Sequence, residues 1–297
     1  MSLPLLNDDI HKIISKNLHK TSKYKLLDWL DETKLDWIVL SQNENAIELL
    51  NNNQKNISWG LLSLNPGAIE LLKNNKDKIY WGGLNLNKNA IELLKEHPEK
   101  INWNFLSENT NAIEIIKENL DKINWRKLSQ NPNALSILKE NPDKIEWSWF
   151  SNICTDINFL RENYDKIVWE SLSFNPYAIE LIEENKNKIN WFNLSKNPKA
   201  IKLLTENQNR IDWQILSINP GAYELLKNNK DKIDWVVLQS NENLQILELL
   251  KENPEKINWN RLSSNKSIFQ INNNNNNDYD YINDIIDKVI SIILSEN

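Results

Sequence analysis

The stretch WGLLSLNPGAIELLKNNKDKIY at residues 59–80 is followed at once by the related stretch WGGLNLNKNAIELLKEHPEKIN at residues 81–102. The same pattern recurs along most of the chain, and its tryptophans lie 22 residues apart from Trp37 to Trp235. A last interval of 24 residues leads to Trp259, so the unit that begins at Trp235 carries a two-residue insertion. Self-similarity at a fixed period of this length is typical of stacked repeat arrays.

Each unit predicts two short helices when its tryptophan is numbered position 1. Position 4 is usually Leu, and the residue before the tryptophan is usually Ser, Asn or Asp, which suits the N-cap of a first helix. Position 7 is usually Asn and position 8 often Pro, as in Asn65 and Pro66, which predicts the start of a second helix. Positions 10, 11, 13 and 14 form its apolar face, and the Asn at position 17 is of a type that ends helices in the left-handed conformation.

The pattern therefore predicts an all-α protein, an α-solenoid of about eleven 22-residue helix-turn-helix repeats with helical end caps. A unit of this size cannot bury its apolar face alone, so we expect the indoles to fill a core between successive units. The tryptophans assigned to this structural core are Trp59, Trp81, Trp103, Trp125, Trp169, Trp191 and Trp213. Leucine-rich repeats are the alternative, but their strand needs apolar residues alternating around the Asn, and positions 2 and 6 are not regularly apolar.

The two ends of the chain do not follow the repeat. Residues 1–33 predict two helices that form an N-terminal cap, the second containing Leu26, Leu27 and Leu30, and an F-box-like adaptor segment is the alternative. The repeat solenoid is expected over 34–269 and an Asn-rich linker over 270–280. Apolar residues at helical spacing predict an amphipathic helix over 281–297, which either caps the last repeat or binds a partner or a second copy.

Composition excludes several classes of protein. A net charge of -6 and a pI of about 5.3 argue against general nucleic-acid binding, which requires a basic surface. No apolar stretch approaches the roughly 18 residues of a membrane span, and residues 1–12 lack the apolar core of a signal peptide. We therefore expect a soluble cytoplasmic protein, and its single cysteine excludes an internal disulfide.

Residues that could carry chemistry are few and scattered. The three histidines do not cluster with each other or with the cysteine, and the five glycines form no phosphate-binding loop. Cys154 has no basic neighbour in the sequence that would activate it as a nucleophile. Glu recurs at position 12, often with Lys three residues later, which predicts solvated salt bridges on the helix surface. We expect no catalytic, cofactor or metal site, and therefore not an enzyme.

Positions 2 and 6 vary from unit to unit, although they lie on a helix that repeats. They are four residues apart and share a face, so this variable ribbon is the predicted partner-binding surface. The alternative is neutral variation on a solvated or partly buried face. The candidate partner-binding residues are Leu64, Leu86, Arg126, Glu170, Phe174, Phe192, Lys196 and Ile218.

The unit that begins at Trp147 departs most from the pattern. Phe150 replaces Leu at position 4, Asp156 replaces Ala at position 10, and Trp149 adds a second indole. Variation within a single repeat accounts for these changes, and a local bend or a binding notch is the alternative.

The repeat resembles the tryptophan-containing short repeats found in many copies in giant viruses of the mimivirus type. The resemblance covers about residues 37–265, and 59–80 and 125–146 match the pattern nearly position by position. It implies a viral source and a solenoid, and it transfers no activity and no site residues.

Together these observations favour a non-enzymatic protein–protein interaction scaffold that engages host proteins, in the host cytoplasm or in the virion. One alternative is a structural virion component that self-associates. Another is an F-box-like adaptor whose repeats select ubiquitination substrates. Neither a cofactor, a nucleic acid nor a membrane is expected as a partner, and the oligomeric state stays open.

Overall fold

A computed structural model describes residues 24–271, which divide into two compact parts. The larger part is Asp31–Ile268 and holds the repeats. The smaller part is formed by the two terminal segments, of which 24–30 and 269–271 are described. Between residues 24 and 271, every helix is too short or too polar to cross a membrane.

Each unit contains a first helix that begins at its tryptophan. The first helices are α1 (Trp37–Leu40), α3 (Trp59–Leu62), α5 (Trp81–Leu86), α7 (Trp103–Leu106), α9 (Trp125–Leu128), α11 (Trp147–Ile153), α13 (Trp169–Leu172), α15 (Trp191–Lys196), α17 (Trp213–Ile218), α19 (Trp235–Leu238) and α21 (Trp259–Ser263). The predicted N-caps are confirmed in several of them: the Oδ1 of Asp212, for example, accepts a hydrogen bond from the backbone N–H of Ile215 at 2.9 Å.

A second helix follows in each of the first ten units. The second helices are α2 (Ile47–Asn52), α4 (Ile69–Lys73), α6 (Ile91–Glu96), α8 (Ile113–Lys117), α10 (Leu135–Glu140), α12 (Ile157–Glu162), α14 (Ile179–Glu184), α16 (Ile201–Glu206), α18 (Tyr223–Lys227) and α20 (Leu244–Glu252). The longest is α20, which begins within the two-residue insertion of the tenth unit.

Single 3-10 turns connect these helices. The 3-10 turns that precede a second helix are Pro66–Ala68 and Pro132–Ala134, and a further turn near the end of the array is Lys266–Ile268. Those at positions 18–20 are Glu32–Lys34, Gln54–Asn56, Lys76–Lys78, Pro98–Lys100, Pro142–Lys144, Tyr164–Lys166, Lys186–Lys188, Gln208–Arg210, Lys230–Lys232 and Pro254–Lys256. The predicted all-α solenoid is confirmed.

The smaller part contains a two-stranded antiparallel sheet. Strand β1 (Tyr24–Leu26) pairs with strand β2 (Phe269–Ile271), and Tyr24 lies opposite Ile271. Leu26 therefore lies in a strand and not in the predicted helix, because its backbone pairs with a segment more than 240 residues away along the chain, which local periodicity does not reveal. Residues 1–23, which are most of the F-box-like segment 1–33, and residues 272–297, which include the predicted C-terminal helix, lie outside the described residues.

The core is built from small and branched apolar side chains rather than from the indoles. In the second unit Leu62, Ala68 and Leu72 are fully buried. The seven tryptophans that were assigned to the core are instead only half-buried, as is every other tryptophan that begins a unit. Each indole lies at the start of a short helix, and in most units the Lys or Arg at position 20 covers its ring. In the second unit the Nζ of Lys78 is 4.4 Å from the ring centre of Trp59.

A ladder of buried Asn side chains at position 7 connects neighbouring units. The Nδ2 of Asn87 donates to the carbonyl oxygens of Ser63 at 3.1 Å and Asn65 at 2.8 Å, both in the preceding unit. Its Oδ1 accepts from the backbone N–H of Asn89 at 3.0 Å and so closes a turn before the second helix. That helix begins only at Ile91, three residues later than the predicted start at position 8. One amide therefore shapes the turn within its own unit and holds the unit before it.

The Asn at position 17 ends the second helix differently from the prediction. Asn75 has φ -138° and ψ 52°, and no residue among 24–271, glycine included, has a positive φ. Its Nδ2 donates to the carbonyl oxygen of Leu71 at 2.9 Å. The side chain satisfies a free carbonyl at the helix end, so the left-handed backbone is not needed.

The first and last units of the array pack on each other. The Nδ2 of Asn43 donates to the carbonyl oxygens of Ser263 at 3.2 Å and Asn265 at 3.0 Å, which repeats the bonds between consecutive units. Residues 31–36 supply positions 17–22 of the eleventh unit. The backbone N–H of Asp36 donates to Ser263 Oγ at 2.8 Å, and Leu35 is 5% exposed. The part Asp31–Ile268 therefore closes into a ring of eleven units, the last of which is built from both ends of the array.

Candidate binding groove

An open groove of about 410 Å³ runs across the seventh to tenth units. Its lining residues come from two repeat positions and one neighbouring residue. Position 6 of consecutive units supplies Phe174, Lys196, Ile218 and Ser240. Position 8 supplies Pro198, Pro220 and Glu242, and Asn243 directly follows Glu242.

The backbone at position 7 explains why positions 6 and 8 line the same surface. Asn197 has φ -73° and ψ 114°, and Asn219 has φ -70° and ψ 115°, so both are extended. In an extended segment the side chains on either side of a residue point the same way, opposite to that residue. The Asn side chains are therefore buried in the ladder, while Lys196 and Pro198 turn towards the groove.

Close packing of the first helices brings four units to one surface. Helix α15 packs against α17, and α17 packs against α19, whereas second helices of neighbouring units approach each other less. In a closed ring, neighbouring units are spaced more tightly on the side nearer the centre. Position 6, which lies at the end of the closely packed first helices, therefore belongs to this more tightly spaced side. Residues from units three apart, such as Phe174 and Ser240, can then line one groove.

Gly221 permits a close contact beside the groove. A Cβ atom on residue 221 would lie 2.6 Å from the carbonyl oxygen of Pro198, which is shorter than real Cβ contacts. Any larger residue would therefore push the ninth unit away from the eighth at this point.

The groove is mainly apolar and carries two charged residues, Lys196 and Glu242, that form no ion pair with any residue between 24 and 271. The Nζ of Lys196 lies 4.9 Å from the ring centre of Phe174. Glu242 lies in the tenth unit, near the ammonium of Lys266, which is paired with Glu44. Hydrogen bonding to Glu44, at 3.0 Å, and the charges of Glu44 and Glu242 raise the pKa of Lys266.

The structure brings together three of the eight predicted partner-binding residues: Phe174, Lys196 and Ile218. Phe192 is 55% exposed on α15 but does not line the groove. Arg126 and Glu170 are exposed elsewhere on the ring, while Leu64 and Leu86 are half-buried. Sequence reasoning missed position 8, because Pro198 and Pro220 were explained as helix-start residues and their exposure was not considered.

The sixth unit interrupts the Asn ladder. Ile153 stands at position 7, and Asn175 of the next unit donates instead to the carbonyl oxygen of Cys154 at 2.8 Å. Cys154 is 1% exposed, and burial raises the pKa of its thiol to about 11, so the thiol is protonated at neutral pH. Asp156 caps α12 and pairs with Lys139 at 2.7 Å, and hydrogen bonding from Lys139 lowers the pKa of Asp156.

The remaining charged residues form surface pairs. Glu92 and Lys95 lie 2.8 Å apart and are exposed, as predicted for positions 12 and 15. His97 packs edge-on to Trp81 with ring centres 5.0 Å apart. No group of three or more metal-binding side chains comes together in the part of the chain that the structure describes.

No protein-family model, curated protein or solved structure matches this chain.

Proposed function

We propose that this protein is a non-catalytic scaffold that binds a segment of another protein in the groove of the seventh to tenth units. The observation that carries this proposal is the convergence of Phe174, Lys196, Ile218 and Ser240 on one surface. These four residues share one repeat position, at or just after the end of a first helix, yet they differ completely in chemistry.

Repeat proteins bind partners through side chains that vary from unit to unit on a regular backbone. Here the hydrogen-bonded ladder holds each unit at a fixed place beside the next, so the groove is formed before a partner arrives. A preformed surface loses little conformational entropy on binding, which favours affinity.

The partner is expected to be a protein rather than a nucleic acid. The chain carries a net charge of -6, and the groove holds one lysine and one glutamate among aromatic, aliphatic, proline and uncharged polar side chains. Phosphate backbones are bound by clusters of Lys and Arg, and apolar side chains give them little to contact. The resemblance to giant-virus repeats makes a host protein the partner we expect.

End-to-end self-association is less favoured by the geometry. It would require free surfaces on the first and last units, but Asn43 and Asn265 bond those units to each other. Most of the F-box-like segment 1–33 lies outside the described residues and adds no support to an adaptor role.

Site-specific photo-crosslinking tests the proposal. A photoreactive amino acid replaces Ser240 in the groove or Lys117 on the eighth helix, and the full-length protein is irradiated in cell extract. We expect one protein segment to be crosslinked from position 240 and not from position 117, with the segment identified by mass spectrometry.

Two matched substitutions locate the contact. Phe174→Gln introduces a residue that already occupies position 6 in Gln42 and Gln130, and Phe192→Gln introduces one that occupies position 2 in Gln214. Crosslinking from position 240 should be lost in Phe174→Gln and kept in Phe192→Gln. Equal crosslinking in both variants, or from both photoreactive positions, would contradict the proposal.

A further inference from the structure

The groove offers an apolar surface of limited size. Phe174, Ile218, Pro198 and Pro220 present carbon atoms to it, and apolar ligand groups bind such surfaces by leaving water. A volume of about 410 Å³ holds a few residues of extended chain, whereas a helix is roughly 10–12 Å across with its side chains. The shape therefore favours an extended segment over a helix.

The charge at the Phe174 end of the groove is positive. The ammonium of Lys196 lies over the ring of Phe174 and forms no ion pair with any residue between 24 and 271, whereas Glu242 lies in the tenth unit, near the ammonium that Lys266 pairs with Glu44. A carboxylate placed beside Lys196 gains an ion pair, and a cation placed there meets repulsion. Charge complementarity consequently favours an acidic ligand at this end of the groove.

A polar contact is also available at the other end of the groove. The Ser240 hydroxyl forms no hydrogen bond with any residue of the described segment 24–271, whereas Asn243 already donates to the carbonyl oxygen of Pro220 at 2.7 Å. A hydroxyl can donate or accept, so Ser240 suits a backbone group of an extended chain.

Building on the proposed function, we infer that the groove selects an extended acidic–apolar protein segment, with a carboxylate on Lys196 and neighbouring apolar side chains on Phe174 and Ile218. The ligand class is a linear peptide that carries Asp or Glu next to aliphatic or aromatic residues.

Labelled synthetic peptides test this inference with the full-length protein. Three acetylated peptides of identical length carry two adjacent Leu residues preceded by Asp, Asn or Lys, and fluorescence polarisation measures their affinities. Wild-type protein should bind the Asp peptide about 1.5-fold to fivefold more tightly than the Asn peptide, the range expected for an exposed ion pair, and the Lys peptide most weakly.

Two lysine substitutions assign the charge effect. Lys196→Met removes the ammonium and keeps a stem of similar length over Phe174, so the Asp and Asn peptides should bind it equally. Lys199→Met makes the same change in net charge at an exposed residue of the same unit that does not line the groove, and it should behave like the wild type. Phe174→Gln should weaken all three peptides alike.

Equal binding of the three peptides to wild-type protein, preference for the Lys peptide, or no saturable binding would each overturn the inference. If one of these results is found but the Phe174-dependent crosslink from position 240 still forms, only the inferred ligand chemistry is wrong. If that crosslink is absent too, the proposed function is also wrong.

Discussion

Asn43 and Asn265 lie at opposite ends of the repeat array, yet the Nδ2 of Asn43 donates to the carbonyl oxygen of Asn265 at 3.0 Å. In two consecutive units, the Nδ2 of Asn65 likewise donates to the carbonyl oxygen of Asn43 at 3.0 Å. The junction between the last and first units therefore has the same Asn bond as an internal junction. An array joined in this way has no exposed end.

Removing one amide of the ladder should destabilise the fold strongly. Asn109→Ala leaves the carbonyl oxygens of Asn85 and Asn87 and the N–H of Asn111 without their side-chain partner, in or next to the buried interface. Buried polar groups without partners cost about 1–3 kcal/mol each. The carbonyl oxygen of Asn87 still accepts from the backbone N–H of Ala90, so we expect a loss of about 2–4 kcal/mol in the free energy of unfolding. Urea denaturation measures it.

The control for the ladder is the exposed side chain of Asn111, two residues later. Asn111→Ala should change the free energy of unfolding by less than about 0.5 kcal/mol, as is usual for surface substitutions. Similar losses in both variants would mean that the ladder does not hold the units together.

Gln239 is a site where a substitution should increase stability. Its Nε2 donates to the carbonyl oxygens of Trp235 and Lys256, but its buried Oε1 has no partner among the described residues. Asn85 at the same position of the third unit makes the two equivalent bonds, and its Oδ1 also accepts from the backbone N–H of Asn102 at 2.8 Å.

We therefore expect Gln239→Asn to raise the free energy of unfolding by about 1 kcal/mol, because a shorter side chain satisfies the oxygen. The reciprocal change, Asn85→Gln, should lower it by a similar amount. Thermal unfolding of both variants checks the pair, and a loss of stability in Gln239→Asn would show that the longer side chain is needed at that unit.

The stability lost when a core side chain is truncated to Ala should depend on how deeply that side chain is buried rather than on its size. Leu128 is fully buried and Trp125 half-buried. We expect Leu128→Ala to cost about 3–4 kcal/mol and Trp125→Ala about 2 kcal/mol, since the partly buried indole loses fewer contacts than a fully buried one. Urea denaturation measures both losses of stability. A larger loss for Trp125→Ala than for Leu128→Ala would mean that the indole belongs to the core.

Stability should fall at high pH through Cys154. Its pKa is raised from 9.0 to about 11 by burial, so between these values the unfolded chain loses a proton that the folded chain keeps. The contribution of the thiol is fully present below about pH 9 and is lost as the pH rises towards 11. The stability difference between wild type and Cys154→Ala should shrink by about 2–3 kcal/mol over that range. A constant difference would mean that the thiol is not shielded from water.

The sequence predicted the local structure well because that structure is set by short patterns. The tryptophan spacing located the units, and residues such as Asn65 and Asp212 identified helix starts from the hydrogen bonds that their side chains make within a few residues. Position 6 identified Phe174, Lys196 and Ile218 because its variation stands out against a repeated background.

Closure of the ring depends on a small rotation added at every unit, which no single unit encodes. One signal was present: Lys34, Leu35 and Asp36 match positions 20–22 and complete the unit that begins at Trp259. The burial of the indoles was overestimated because ring size was used as the guide, whereas the first position of a short helix leaves one face to a lysine such as Lys78.

Crosslinking between the first and last units tests ring closure, the claim on which the rest of the account depends. Glu44 and Lys266 form an ion pair of 3.0 Å across the junction, and both are replaced by Cys in a Cys154→Ala background. Thr110 occupies the position of Lys266 in the fourth unit, so Glu44→Cys with Thr110→Cys is the matched control. A short-armed bis-maleimide should link residues 44 and 266 within one molecule and should not link 44 and 110. Links between residues 44 and 266 that form only between molecules, or no link at all, would contradict a closed ring.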